Sequence, residues 1–211
     1  MKKSVKIILG IIVILVVAII IKYVINNNDK DMLASLYSTM SNSEEFTFTM
    51  EVVDSSIPYT LSVAQSGENM NIDMISEDAR TSTLLLDGYI YYILHDEKEY
   101  SLINEDSEGN IIIEALSNIY ESEYEKGKEE IYGTKYYYEE YNDCYDFTVL
   151  LAIDTNDTNK TRFYFDDEDL VYIKTITIDD EGNQEEELLN VTISYEADSS
   201  LFEIPSDYAE I

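Results

Sequence analysis

His95 and Cys144 are the only histidine and the only cysteine in 211 residues, so any imidazole or thiolate chemistry must pass through them. One imidazole cannot build a multi-histidine metal centre, and a Ser-His pair would have to use His95. Asp96 and Glu97 follow it on an expected turn, which makes His95 a surface residue, and nothing in the spacing brings Cys144 to its side. The 44 Asp and Glu residues offer another chemistry, hard oxygen ligands for calcium. They crowd the turns at Asp154, Asp157, Asp166, Asp167, Glu168, Asp169, Asp179, Asp180 and Glu181. None of these turns has the twelve-position order of a calcium loop: with Asp179 first, Asn190 falls where the bidentate Glu belongs. The acidic turns therefore read as solvated loops. Paired carboxylates could hydrolyse a glycoside, but among so many acids spacing singles out no pair. The sequence names no catalytic residue, no metal ligand and no cofactor.

A net charge of −31 excludes nucleic acid as a partner, because phosphate contacts need the opposite sign. Disorder is also a poor fit, since 45% of the residues are hydrophobic and 19 are Tyr, enough for a packed core. A lone cysteine leaves no intrachain disulfide to form.

The elements that would position any site begin with an apolar run, Ile7 to Ile21, extended by Val5 and Lys6 at one end and by residues up to Ile25 at the other. That length suits a helix crossing a hydrocarbon core of about 30 Å. Lys2, Lys3 and Lys6 precede it and acidic sequence follows, so the positive-inside bias predicts a single-pass protein of the cell membrane with a cytoplasmic N-terminus. The run ends in Ile19-Ile20-Ile21-Lys22 without a small-residue cleavage box, which favours an uncleaved anchor. The expected organisation is a cytoplasmic tip and transmembrane anchor over residues 1–25, a polar linker over 26–30 and one extracytoplasmic domain over 31–211.

Within that domain Met32, Leu33, Leu36, Tyr37 and Met40 recur at helical spacing, predicting a helix over about 29–42. From Phe46 the period becomes two: Phe46, Phe48, Met50 and Val52, then Tyr59, Leu61 and Val63, then Met70, Ile72 and Met74. Asp87-Gly88 between 81–86 and 89–94 predicts a hairpin with a primed turn, and 99–103 can add a strand. Ile112, Ala115, Leu116 and Ile119 share one face of a second expected helix at 111–120. Further strands are expected at 130–132, 135–141, 147–153, 162–165, 170–178 and 186–195, with alternation in the tail up to Pro205. The expected fold class is α+β: a large curved antiparallel sheet, an incomplete β-barrel, covered by two helices and preceded by one N-terminal transmembrane helix.

The order of elements carries a resemblance. A first helix, Phe46-Thr47-Phe48-Thr49-Met50-Glu51-Val52, Asp87-Gly88-Tyr89-Ile90-Tyr91-Tyr92, a central helix, Gly133-Thr134-Lys135-Tyr136-Tyr137-Tyr138, the run Phe163 to Ile173 and the ending Leu201-Phe202-Glu203-Ile204-Pro205 together resemble the LolA/LolB-like lipoprotein-carrier superfamily and its Gram-positive relatives. The resemblance implies helices plugging an apolar cavity in a half-barrel, and a habit of holding the acyl chains of lipids or lipoproteins. The chain departs from it in lacking a lipobox cysteine.

The candidate apolar-ligand residues are Phe46, Phe48, Met50, Leu61, Val63, Met70, Ile72, Met74, Ile112, Leu116 and Ile119. Alternating apolar side chains are core by default, and line a pocket only where the cover is incomplete. The functional expectation is a non-enzymatic, membrane-anchored binding protein with a lipid or lipoprotein acyl chain in an apolar groove and the bilayer itself, through residues 5–25, as its other partner. The alternative is a cell-surface interaction module with a filled core and no ligand, for which the tyrosine-rich strands would serve as recognition surface.

Overall fold

The computed structural model describes residues 31–53, 58–104, 123–142, 158–178 and 181–211. The chain divides into two compact units, Met1–Asp31 and Met32–Ile211, and every described element belongs to the second. Helix α1 (Met32–Ser41) opens it, and Leu33, Leu36 and Met40, at the spacing of one helical face, are its buried residues.

Among the described residues twelve strands follow: β1 (Glu45–Val53), β2 (Tyr59–Ser66), β3 (Asn69–Ser76), β4 (Arg80–Leu86), β5 (Tyr89–Leu94), β6 (Glu99–Asn104), β7 (Tyr124–Ile131), β8 (Thr134–Asn142), β9 (Thr158–Asp166), β10 (Asp169–Ile178), β11 (Gln184–Ser194) and β12 (Ala209–Glu210). They form one sheet in the order β12-β6-β5-β4-β3-β2-β1-β11-β10-β9-β8-β7. Two meanders, β1 to β6 and β7 to β11, thus meet where β1 pairs antiparallel with β11, and only β12 runs parallel to its neighbour. Asp87 (φ 52°) and Gly88 (φ 84°) make the expected primed turn.

Alternation sorts the side chains onto two faces. On one face Phe46, Phe48, Met50, Leu61, Val63, Phe163, Phe165, Ile173 and Leu189 form a single cluster with Leu33, Leu36 and Met40 of α1. The opposite face is covered in two different ways. Over β2 to β5 the C-terminal tail supplies Phe202, which packs with Ala64, Leu84 and Ile93. At the other end β7 rolls back over its neighbours: Glu129 on β7 reaches Lys174 on β10 at 2.5 Å, across the two strands that separate them in the sheet order.

Several expectations need correction. The sheet is a single open one with β12 and β7 as its edges, and among the described residues one ten-residue α-helix covers it instead of two. The second expected helix and the expected strand at 147–153 lie outside the described residues. Both helices were expected on one face, whereas the structure also covers the face opposite α1, with the tail over β2 to β5 and the rolled β7 at the other end. The tail itself forms a 3-10 helix (Ser199–Phe202), its first turn capped by the Asp198 carboxylate on the Ser200 N–H, where strand-like alternation was expected.

The single-pass placement in a cell membrane is also corrected. No helix among the described residues is long and apolar enough to cross a membrane, α1 having ten residues against the roughly 20 that a span needs. Residues 5–25 lie outside the described residues.

Candidate functional site

The apolar layer beneath α1 is where the sequence placed a ligand, and register explains how it forms. Met50 faces Leu61, which faces Met74; Phe48 faces Val63, which faces Ile72. On the other side of β1, Met50 faces Val191 and Phe48 faces Ile193. Eight of the eleven candidate residues therefore lie on one face: Phe46, Phe48, Met50, Leu61, Val63 and Met70 are buried, and Ile72 and Met74 are half-buried against them. Ile112, Leu116 and Ile119 lie outside the described residues. Phe46, Phe48, Met50 and Val63 have no exposed surface, so the part of the layer beneath Leu33, Leu36 and Met40 is closed.

The seat of α1 depends on a residue that the pattern reading passed over. Glu139 sits on β8 between Tyr137 and Tyr141, at a position whose alternation turns it toward the helix, and it is fully buried. Its Oε1 accepts from the Met32 N–H at 2.8 Å and its Oε2 from the Leu33 N–H at 3.1 Å. Those are free N–H groups at a helix start, where the macrodipole also favours a negative charge. The Tyr141 hydroxyl donates a third bond to Oε2 at 3.1 Å. The legible signal was an acid at an inward position of an aromatic strand.

Along one flank of α1 the cover is incomplete. A crevice of about 450 Å³ runs between Ser35, Leu36 and Thr39 of the helix and Leu170, Val191, Ile193 and Tyr195 of the sheet. Its floor continues the apolar layer, since Leu36, Leu170 and Val191 belong to the same cluster and Ile193 packs against it.

His95, expected at the surface, instead joins a network beneath the tail. Its Nε2 lies 2.7 Å from Ser82 Oγ and its Nδ1 2.9 Å from the Tyr208 hydroxyl. Ser82 Oγ donates to Asp73 Oδ1 at 2.9 Å, and Arg80 grips Asp73 through Nε and Nη2. A serine has one proton, and the carboxylate takes it. Ser82 then accepts from Nε2–H in the neutral ring, and the Tyr208 hydroxyl proton is shared between Nδ1 at 2.9 Å and the His95 carbonyl at 3.4 Å. This arrangement inverts a nucleophilic triad: the acid holds the serine proton instead of orienting the imidazole, and Ser82 is buried. Burial, followed by the nearby Arg80 charge, lowers the His95 pKa from its ordinary 6.5. The network holds the tail in place. Cys144 lies outside the described residues.

Under the rolled β7, Arg162 bridges Glu140 at 2.5 Å and Glu129 at 2.7 Å, Lys160 meets Glu140 at 3.1 Å, and the Tyr164 hydroxyl donates to Glu129 at 2.6 Å. Burial raises the pKa of both carboxylates, but bonds from Lys174 and Tyr164 to Glu129, and from Arg162 and Lys160 to Glu140, outweigh it and leave both below the ordinary 4.5. Held ionised, neither is suited to donate a proton to a leaving group. Among the described residues no three His, Cys, Asp or Glu side chains stand together so as to hold a metal ion. Asp154, Asp157, Asp179 and Asp180 lie outside them.

No family model matches this chain, and no curated protein matches it in sequence. An uncharacterized conserved protein from Thermus thermophilus, known from its crystal structure, is similar over 83% of this chain and 94% of its own, with 7% identity and a TM-score of 0.49. A likeness at that level carries no argument about function.

Proposed function

We propose that this chain is a non-enzymatic binding protein that takes a long acyl chain, free or attached to a lipid or lipoprotein, into the apolar layer beneath α1. The crevice beside α1 carries the reading: it opens one flank of the layer, and its floor is continuous with Leu36, Leu170 and Val191.

Magnitudes decide which ligands could enter. Seating Leu33, Leu36 and Met40 contributes at most ~5–9 kcal/mol, at ~1.5–3 kcal/mol per side chain. A chain burying about fourteen methylenes contributes ~11 kcal/mol at ~0.8 kcal/mol each. The bonds from the α1 N–H groups to Glu139 add about 2–4 kcal/mol to the seat, so long chains can compete with α1 and short ones cannot. Helices as short as α1 are marginal on their own, so the displaced segment has little structure to preserve.

The chain has no Trp, so the half-buried Tyr37 of α1 offers a reporter position. Titrating the Tyr37→Trp variant with palmitate should shift the indole emission, whereas octanoate should leave it unchanged. Native mass spectrometry should find one bound chain. No shift and no bound mass would overturn the reading. They would leave the second one, a filled core whose surface binds a protein, which the complete burial of Phe46, Phe48 and Met50 favours.

A further inference from the structure

On the opposite face a groove lies beneath the β7 to β8 turn. Two hollows, of about 570 and 430 Å³, share Val52, Val53 and Tyr132 and so form one groove. Val53 and Leu188 give it an apolar floor, Tyr172 stands at one end, and Glu185 and Glu186 are exposed at the other.

Tyr132 is the feature that needs explaining. It is 66% exposed and has φ 49°, beside Gly133 at φ 81°. The first central position of such a primed turn favours Asn, Asp or Gly, and a bulky ring there works against local preference. The equivalent position of the β4 to β5 turn has Asp87. Tyr132 therefore places an aromatic ring over the groove at a local cost.

The charge around the groove is one-sided. Lys174, its only cation among the described residues, is already engaged by Glu129 at 2.5 Å and Glu186 at 3.3 Å, while Glu51, Glu185 and Glu187 add further carboxylates. The chain as a whole carries −31 and would draw a cationic partner in.

We infer that this groove docks a basic, extended segment of a partner protein. A Lys or Arg side chain lies against the Tyr132 ring, its charged head reaches Glu185 and Glu186, and its methylenes rest on Val53 and Leu188. Aromatic faces and carboxylates are the two groups that recognise such a side chain.

The test must separate this site from attraction by overall charge. Anisotropy of a fluorescein-labelled peptide alternating Ala with Lys and Arg, added to the full chain, provides the measurement. Tyr132→Ala leaves the net charge unchanged and should weaken binding about tenfold, while Tyr132→Phe should bind nearly as the parent does. Glu185→Gln together with Glu186→Gln should weaken it by about tenfold as well, whereas Glu68→Gln together with Glu44→Gln, an equal change of charge at the distant β2 to β3 turn, should have little effect. Equal affinity for the parent and Tyr132→Ala, or equal losses from the Glu68 and Glu185 changes, would show attraction by bulk charge alone and overturn the proposal.

Discussion

Glu139 and Leu33, 106 positions apart in the chain, meet where a β8 carboxylate caps the first N–H groups of α1. Replacing Glu139 by Ala removes both helix-cap bonds and leaves the Tyr141 hydroxyl without that acceptor. The expected loss is about 2–4 kcal/mol, because bonds to a charged group are stronger than neutral ones and buried donors are left bare. Chemical denaturation gives the energy. Hydrogen exchange should show α1 losing protection before the sheet does.

Gly127 faces the ring of Tyr138 so closely that a Cβ there would collide with it. Gly127→Ala should cost about 1–3 kcal/mol through forced displacement of that ring. In a Tyr138→Ala background most of the cost should vanish, and a double-mutant cycle measures the coupling. Equal costs in the two backgrounds would show that the collision is not the cause.

At the next turn the sign reverses. Tyr132→Asn suits a primed turn better than the parent residue and should stabilise the fold by about 0.5–1 kcal/mol. Thermal melting checks it, and the same variant should bind the basic peptide less well. Gain in one and loss in the other would show stability given up for recognition.

Two pH windows follow from the shifted groups. The folded pKa of His95 is depressed below 6.5, so its contribution to stability is full above 6.5 and declines as pH falls through that value toward the folded pKa. His95→Gln should flatten the pH dependence of stability in the range just below 6.5. Glu129 and Glu140 are depressed below 4.5, so their share is full above 4.5 and is lost in more acid solution as the folded pKa values are passed. Melting temperatures measured from pH 8 to 3 should therefore fall in two steps, of which the variant keeps only the acid one.

Lys174 is nearly buried between Glu129 and Glu186. Lys174→Met leaves Glu129 with Arg162 and Tyr164 alone and should cost about 1–3 kcal/mol, discounted because Glu129 is partly solvated. High salt should narrow the difference only slightly, and a difference abolished by salt would identify the pair as a surface one.

The strands were readable where one face alternates cleanly. Phe46 to Val52 and Tyr59 to Val63 announce themselves because every second side chain is buried, and Asp87-Gly88 fixes a hairpin by backbone geometry alone. Long-range pairings were not readable. That His95 meets Tyr208, and Glu139 meets Met32, depends on which strands become neighbours, and no local period encodes that. The start of β7 was missed for a related reason. Glu125, Lys126, Gly127 and Lys128 look like a solvated loop, yet they pair with Tyr137 to Glu140 at the sheet edge, where charged residues discourage further strand addition. The candidate ligand residues were found as a group, but filled core and open pocket share one alternation, and only the packing of α1 separates them.

The seam between β1 and β11 sets the order in which the molecule can assemble. Thr47 donates to the Glu196 carbonyl 149 positions away, and Phe48 faces Ile193 across the seam. A growing chain can zip its first six strands from local hairpins, but their last neighbour is absent until the second meander has been synthesised. Joining two preformed ribbons so distant in sequence makes closure slow, and β1 stays an open, adhesive margin of the nascent chain until its partner arrives.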